Sequence, residues 1–144
     1  MINPEHIQKI CAEYDLGESI KVEEILEGAL NHNYALETTK DKYFIKSIRE
    51  KKKEQSQYVY DVEVFMGSKG IPAITLLKTL SGKISLEIDG NIYRLYEYIE
   101  SDRGHTYSLE EYRDMGALLA CIHSVGSQTP DTFQEKQLKV LSRP

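Results

Sequence analysis

The sequence predicts an α+β fold in which an antiparallel sheet of about five strands carries one packed helix, with a further helix at each end. Several short segments alternate apolar and polar residues and are separated by turn residues, which is typical of antiparallel strands. Two of these segments flank Asp89-Gly90, a strong hairpin signal. Three longer segments instead repeat apolar residues at helical spacing, and two of them lie towards the chain ends.

The chain has 144 residues, of which 40% are hydrophobic and 28% charged, and these values fit one soluble globular domain. The net charge of -5 argues against nucleic-acid binding, and no apolar run is long enough to cross a membrane. The N-terminal residues lack the order of a signal peptide. Cys11 and Cys121 lie among apolar helical positions, which predicts buried thiols in a reducing cytoplasm. Because neither cysteine has a second ligand at zinc-site spacing, we expect no metal site.

The first helix begins at Asn3 and Pro4, a capping residue followed by a proline suited to the first turn. Its apolar face is predicted to comprise Ile7, Ile10, Cys11 and Tyr14. Strands are expected over residues 19–27, 33–38 and 43–47, followed by a helix over 55–69. We therefore interpret residues 1–18 as an N-terminal helix and residues 19–100 as one lobe.

Three more strands are predicted over residues 73–79, 83–88 and 91–98. Ser108 and Glu111 form a capping box that starts the last helix, which runs to about Val125. Its apolar stripe comprises Met115, Leu118, Leu119 and Ile122. We interpret residues 101–144 as a hinge, this helix and a tail that adds no closing element, and we expect an interrupted domain.

The third predicted strand ends in Lys46, directly after three apolar residues. The aliphatic stem of Lys46 can pack beside them, but its ammonium requires an anion. Gly28 and Ala29, between the first two strands, carry little side-chain bulk and leave backbone N–H groups open to phosphates. An ordinary hairpin turn with Asn31 as a turn residue fits the same loop, and an edge position fits Lys46.

The order and spacing of these segments resemble the N-terminal lobe of the aminoglycoside phosphotransferase and choline kinase superfamily. The matching motifs are Gly28-x-x-Asn31-x-x-Tyr34, Tyr43-Phe44-Ile45-Lys46, Gly70-Ile71-Pro72, residues 90–99 and residues 116–123. The resemblance implies that Gly28, Ala29 and Asn31 belong to a nucleotide loop. It also implies that Lys46 contacts the α- and β-phosphates of ATP.

The resemblance further implies a carboxylate on the helix after Lys46, which would hold the lysine in place. The usual glutamate position falls near Val59, and the nearest carboxylates are Glu63 and Asp61. We favour Glu63 because its side chain is longer, while a solvated acid fits either residue equally well.

The hinge of such a lobe corresponds to residues 95–100. By the resemblance, the Glu97 carbonyl and the Ile99 amide would bind adenine, and Tyr96 would lie behind it. Four apolar side chains could line the purine or could serve as plain core, namely Ile25, Tyr34, Phe44 and Leu76.

The His-Gly-Asp-x-x-x-x-Asn loop of complete family members does not occur in this sequence, so no catalytic residue is assigned. The expected function is the nucleotide-binding lobe of an ATP- and magnesium-dependent phosphotransferase, truncated before the catalytic loop and inactive by itself. Its acceptor, a hydroxyl of an aminoglycoside, choline, homoserine or similar metabolite, would require the missing lobe. The alternative is a non-catalytic α+β module that binds partners or oligomerises, for instance as a homodimer.

Overall fold

A computed structural model describes residues 2–26, 32–49, 53–100 and 104–129. Its elements are α1 (Pro4–Glu13), β1 (Ser19–Ile25), β2 (His32–Thr38), β3 (Lys42–Arg49), α2 (Lys53–Ser68), β4 (Leu76–Leu77), β5 (Leu86–Ile88), β6 (Asn91–Glu97) and α3 (Leu109–Gly126). The described residues fall into two compact units. The first unit comprises Met1–Lys53 and Ile74–Ile99, and the second unit comprises Glu54–Ala73 and Glu100–Pro144.

The strands of the first unit form one antiparallel sheet, and the α+β prediction is confirmed. The strand order is β1-β2-β3-β6-β4, and β5 also pairs with β6. β3 pairs with β6 along almost its whole length, from Tyr43 opposite Glu97 to Arg49 opposite Asn91. β3 is therefore a central strand with hydrogen-bonded neighbours on both edges.

One face of this sheet packs against α1 and forms the hydrophobic core. Asn3 caps α1 as predicted, because its side chain accepts a hydrogen bond from the Glu5 N–H at 3.0 Å. The predicted apolar face of α1 is buried, and the sheet contributes Tyr34, Leu36, Ile45, Tyr93 and Leu95 to the same cluster. Burial of these apolar side chains holds the helix against the sheet.

β4 is shorter than predicted, since only Leu76 and Leu77 of the expected strand over 73–79 pair with β6. The chain turns away from the sheet at Thr79, whose N–H donates to the Lys83 carbonyl at 3.0 Å. The hydrogen bond within this turn takes the place of a further backbone hydrogen bond between β4 and β6. β3 is longer than predicted, so that Lys46 lies inside the strand and not at its end.

α2, from Glu54 onward, and α3 belong to the second unit. After α2, Gly70 adopts a left-handed conformation with φ of 81°, and the Ile71 N–H donates to the Met66 carbonyl at 3.2 Å. This is a usual way to satisfy the last carbonyls of a helix. The Met66 methyl group also lies close to Gly126, so the end of α2 is next to the end of α3.

α3 has no buried residue, and most of its side chains are exposed. The predicted apolar stripe is therefore largely open, and Leu119 is 52% exposed. For the same reason the prediction of a buried thiol is wrong for Cys121, whereas Cys11 is buried against the sheet. Within the described ranges, neither α1, α2 nor α3 has the length and apolar character that a membrane-spanning helix needs.

Candidate functional site

Lys46 is held by β2 on one side and by β6 on the other, because β3 is a central strand. Successive side chains of a strand alternate between its two faces. Ile45 is fully buried in the core beside α1, so Lys46 lies on the opposite face of the sheet. The side chain is half-buried. This central position excludes the interpretation of Lys46 as an edge lysine.

An apolar row crosses the sheet on the Lys46 face, two residues along β3 from the lysine. Its members, in register across four strands, are Ala35, Phe44, Tyr96 and Leu76. The Phe44 and Tyr96 rings lie 6.3 Å apart, with their planes inclined by 63°. An apolar surface beside a cation suits the two parts of a nucleotide, a flat base and an anionic tail.

The row that contains Lys46 also contains a second cationic side chain. Asn33 of β2 and Arg94 of β6 are the register partners of Lys46. Arg94 is only 2% exposed and lies within five consecutive buried residues, Ile92-Tyr93-Arg94-Leu95-Tyr96. Sequence reasoning missed Arg94. The available signal was its position inside an apolar run, since a strand buried on both faces has few reasons to hold an arginine.

The predicted nucleotide-loop residues Gly28, Ala29 and Asn31 lie outside the described residues, so their role stays a prediction. Glu63 is half-buried on α2, in the unit that does not contain Lys46, and its pairing with Lys46 stays a prediction as well. In the part of the sheet unit that the structure describes, no carboxylate forms an ion pair with Lys46.

The segment predicted to be the hinge, residues 95–100, starts inside β6, which ends at Glu97. The Glu97 N–H donates to the Thr75 carbonyl at 3.0 Å, and the chain then leaves the sheet. Ile99, two residues later, is 60% exposed. This path is compatible with a hinge next to the apolar row, while adenine binding by the Glu97 carbonyl and the Ile99 amide stays a prediction.

The sheet register separates the side chains that were expected to line a purine. Phe44 and Leu76 share the Lys46 face, and Ile25 is the register partner of Asn33 in the Lys46 row. Tyr34 pairs with Ile45 and is 5% exposed in the core on the other face. Burial raises the pKa of the Tyr34 hydroxyl, as expected for a core phenol. Strand alternation therefore makes Tyr34 a core residue.

The described residues offer no metal site of their own. Across residues 2–26, 32–49, 53–100 and 104–129, no three His, Cys, Asp or Glu side chains are grouped so that they could hold a metal ion. What these residues supply is a cation and an apolar surface, and no chemical step through magnesium is assigned to them.

A half-buried lysine on a central strand, an apolar row beside it and a chain exit next to that row define a kinase-like N-terminal lobe. The model of the phosphotransferase enzyme family (APH) matches residues 21–143. The chain belongs to this family, which confirms the resemblance seen in the sequence.

Curated relatives are homoserine kinases. This chain is 26% identical over 130 residues to the homoserine kinase of Caulobacter sp. (strain K31), covering 90% of this chain and 41% of the relative. It is 22% identical over 129 residues to that of Neisseria meningitidis serogroup B, covering 90% and 42%. The chain thus spans about 41% of the length of the curated relatives that it matches.

Two solved structures share the fold at 16% sequence identity. Spectinomycin phosphotransferase, APH(9)-Ia, in complex with ADP and spectinomycin, matches with a TM-score of 0.78 over 94% of this chain and 41% of that chain. Amicoumacin kinase hAmiN, in complex with AMP-PNP, Ca2+ and Ami, matches with a TM-score of 0.65 over 90% and 41%. These similarities support the kinase-like lobe at the level of the fold.

Proposed function

We propose that this chain is the nucleotide-binding lobe of a cytoplasmic, ATP-dependent small-molecule kinase. The observation that carries the proposal is the position of Lys46 on the same sheet face as the apolar row of Ala35, Phe44, Tyr96 and Leu76. In this arrangement the row contacts the base, and the lysine ammonium neutralises the α- and β-phosphates. The nucleotides in the two similar solved structures support the same assignment.

Calorimetric titration with ATP tests this proposal. Lys46→Met removes one charged contact, which is worth about 1.5–3 kcal/mol, so the ATP affinity should fall about 10- to 100-fold. Lys83→Met is the matched control, because Lys83 is an exposed lysine at the Thr79 turn. Its ATP affinity should equal that of the unmodified protein. Equal ATP affinities for all three proteins would contradict the proposal.

The acceptor that we propose to test first is homoserine, since the curated relatives are homoserine kinases. The chain covers 41% of such a relative, and the catalytic-loop motif does not occur in it. We therefore expect the chain alone to bind ATP without transferring its γ-phosphoryl group. A coupled assay for ADP release with homoserine, choline and spectinomycin measures this, and turnover with any of them would contradict an inactive lobe.

A second candidate function is a non-catalytic module that self-associates through α3. The supporting observation is the exposed apolar stripe, in which Met115 is 41% and Leu119 52% exposed. Light scattering after size exclusion tests it. Leu119→Glu should convert dimers to monomers, whereas Ile20→Glu, at an equally exposed position of β1, should leave the mass unchanged. A monomeric unmodified protein would rule out this candidate.

A further inference from the structure

The contact between Lys42 and Tyr98 lies at the point where the chain leaves the sheet. The Lys42 ammonium is 4.0 Å from the centre of the Tyr98 ring, a distance typical of a cation–π contact. Tyr43 and Glu97 are the last paired residues at this end of β3 and β6, and Lys42 and Tyr98 are the next residues beyond that pair. The contact therefore extends the pairing of the two strands through their side chains.

Lys42 lies on the same face of the sheet as the apolar row. Side chains two residues apart along a strand share a face, so Lys42, Phe44 and Lys46 follow one another on β3. The apolar row that contains Phe44 lies between the two lysines. In the proposed site Lys46 contacts the phosphates, so Lys42 lies on the far side of the base, next to the predicted hinge.

Two contacts hold the chain on either side of the Glu97 carbonyl. Before it, the Glu97 N–H donates to the Thr75 carbonyl at 3.0 Å. After it, the Tyr98 ring lies beside Lys42, and both of these side chains are half-buried. The next residue, Ile99, is 60% exposed, so its position depends on the segment before it. The Glu97–Tyr98 peptide is therefore held at the place where the resemblance puts adenine.

We propose that Lys42 is a positioning residue for adenine recognition, and that it acts by holding the Tyr98 ring. This inference rests on the proposed nucleotide-binding function. A hinge that is already ordered loses less freedom when it binds a ligand, so it binds more tightly. Adenine offers an amino group to the Glu97 carbonyl and a ring nitrogen to the Ile99 amide, whereas hypoxanthine offers a carbonyl and an N–H there. The ordered hinge therefore favours ATP over ITP.

Calorimetric titrations with ATP and ITP test this inference, because the two nucleotides carry the same phosphates and differ only in the base. The unmodified protein should bind ATP about tenfold more tightly than ITP. Lys42→Met should lower the ATP affinity about threefold to fivefold and leave the ITP affinity unchanged. Lys42→Arg keeps a cation over the ring and should retain the ATP-to-ITP affinity ratio of the unmodified protein.

Two further variants separate the cation–π contact from any other contact of Lys42. Tyr98→Leu removes the ring and keeps the lysine, and it should have the same effect as Lys42→Met. Because both substitutions remove one contact, the double variant should bind ATP within about twofold of either single variant. Lys69→Met is the matched control, since Lys69 lies over the Phe65 ring at 5.8 Å in the second unit, and it should change neither affinity.

Equal losses of ATP and ITP affinity in Lys42→Met would mean a purely structural role and would overturn the inference. An unchanged ATP affinity in Lys42→Met, or an unmodified protein that does not distinguish ATP from ITP, would have the same consequence. Thermal unfolding checks that each variant folds, and if Lys42→Met or Tyr98→Leu does not, the other decides because each removes the contact.

Failure of the inference can be told apart from failure of the proposed function. If Lys46→Met weakens ATP binding while Lys42→Met leaves the ATP-to-ITP ratio unchanged, the inference fails and the proposed function stands. If the unmodified chain binds neither nucleotide, the proposed function fails, and the inference fails with it.

Discussion

At the residue scale, His6 connects α1 to the sheet through both of its ring nitrogens. Nδ1 lies 2.8 Å from the Tyr93 hydroxyl and Nε2 lies 3.1 Å from an Asp89 carboxylate oxygen. The His6 ring is buried, and it also contacts the Tyr93 ring edge-on at 5.7 Å. Because buried polar groups are costly without partners, these two hydrogen bonds are a condition for burying His6.

We predict that His6→Ala lowers the free energy of unfolding by about 2–3 kcal/mol, from lost packing and from the hydrogen bonds lost by Tyr93 and Asp89. The matched control is His32→Ala, because His32 also pairs with a carboxylate, that of Glu24 at 3.2 Å, but its side chain is 61% exposed. That substitution should have little effect. Urea unfolding followed by circular dichroism measures both, and equal effects would contradict a special role for His6.

Residue-level contacts of this kind could not be predicted from the sequence. His6 and Tyr93 are 87 positions apart, and no local pattern identifies a partner at that distance. The same holds for Lys46 and Arg94, whose pairing depends on the register of β3 with β6. Anion binding by Lys46 stays a prediction, and it could be stated from the sequence because an ammonium after an apolar strand segment is costly to bury without a partner.

At the element scale, α3 begins with the capping box that the sequence predicts. The Ser108 N–H donates to a Glu111 carboxylate oxygen at 2.7 Å, and the Ser108 hydroxyl accepts from the Glu111 N–H at 3.2 Å. The Ser108 N–H, and then the hydrogen bond with His105, hold the pKa of Glu111 below its usual value of 4.5. The folded helix therefore favours the ionised carboxylate.

We predict that the start of α3 loses stability in acid. Because folding lowers the pKa of Glu111, its carboxylate stabilises the helix at pH values above the unfolded pKa near 4.5. This contribution disappears as the pH falls through the lowered pKa of the folded state. Hydrogen exchange of the Tyr112 amide should therefore accelerate below about pH 4.5 relative to its intrinsic rate. Glu111→Gln should remove this pH dependence, whereas Glu110→Gln, a neighbouring exposed acid in the same turn, should preserve it.

Helices and hairpins were predictable because caps, prolines and turn residues act over a few positions. The extent of β4 was not, since the hydrogen bond from the Leu80 N–H to the Glu13 carbonyl, at 2.8 Å, draws the chain to the end of α1. The face of Tyr34 was not predictable either. It depends on the register of β2, and a shift of one residue would exchange the two faces.

At the scale of the whole molecule, the sheet has two faces with different chemistry. One is closed by α1 and is apolar, and the other carries Lys46, Arg94 and the row of Ala35, Phe44, Tyr96 and Leu76. The fold class and the family followed from the order of the segments in the sequence. The exposure of α3 could not be predicted from the sequence. An apolar stripe predicts a buried face, but the stripe does not show which element would cover that face.

An NMR titration of the isotope-labelled chain with ATP tests most directly whether the Lys46 face binds a nucleotide. We expect the amide shifts to concentrate at Ala35, Phe44, Lys46, Tyr96 and the segment after Glu97, with α1 and Lys83 unaffected. Amide shifts confined to α1, or no shifts at millimolar ATP, would contradict it.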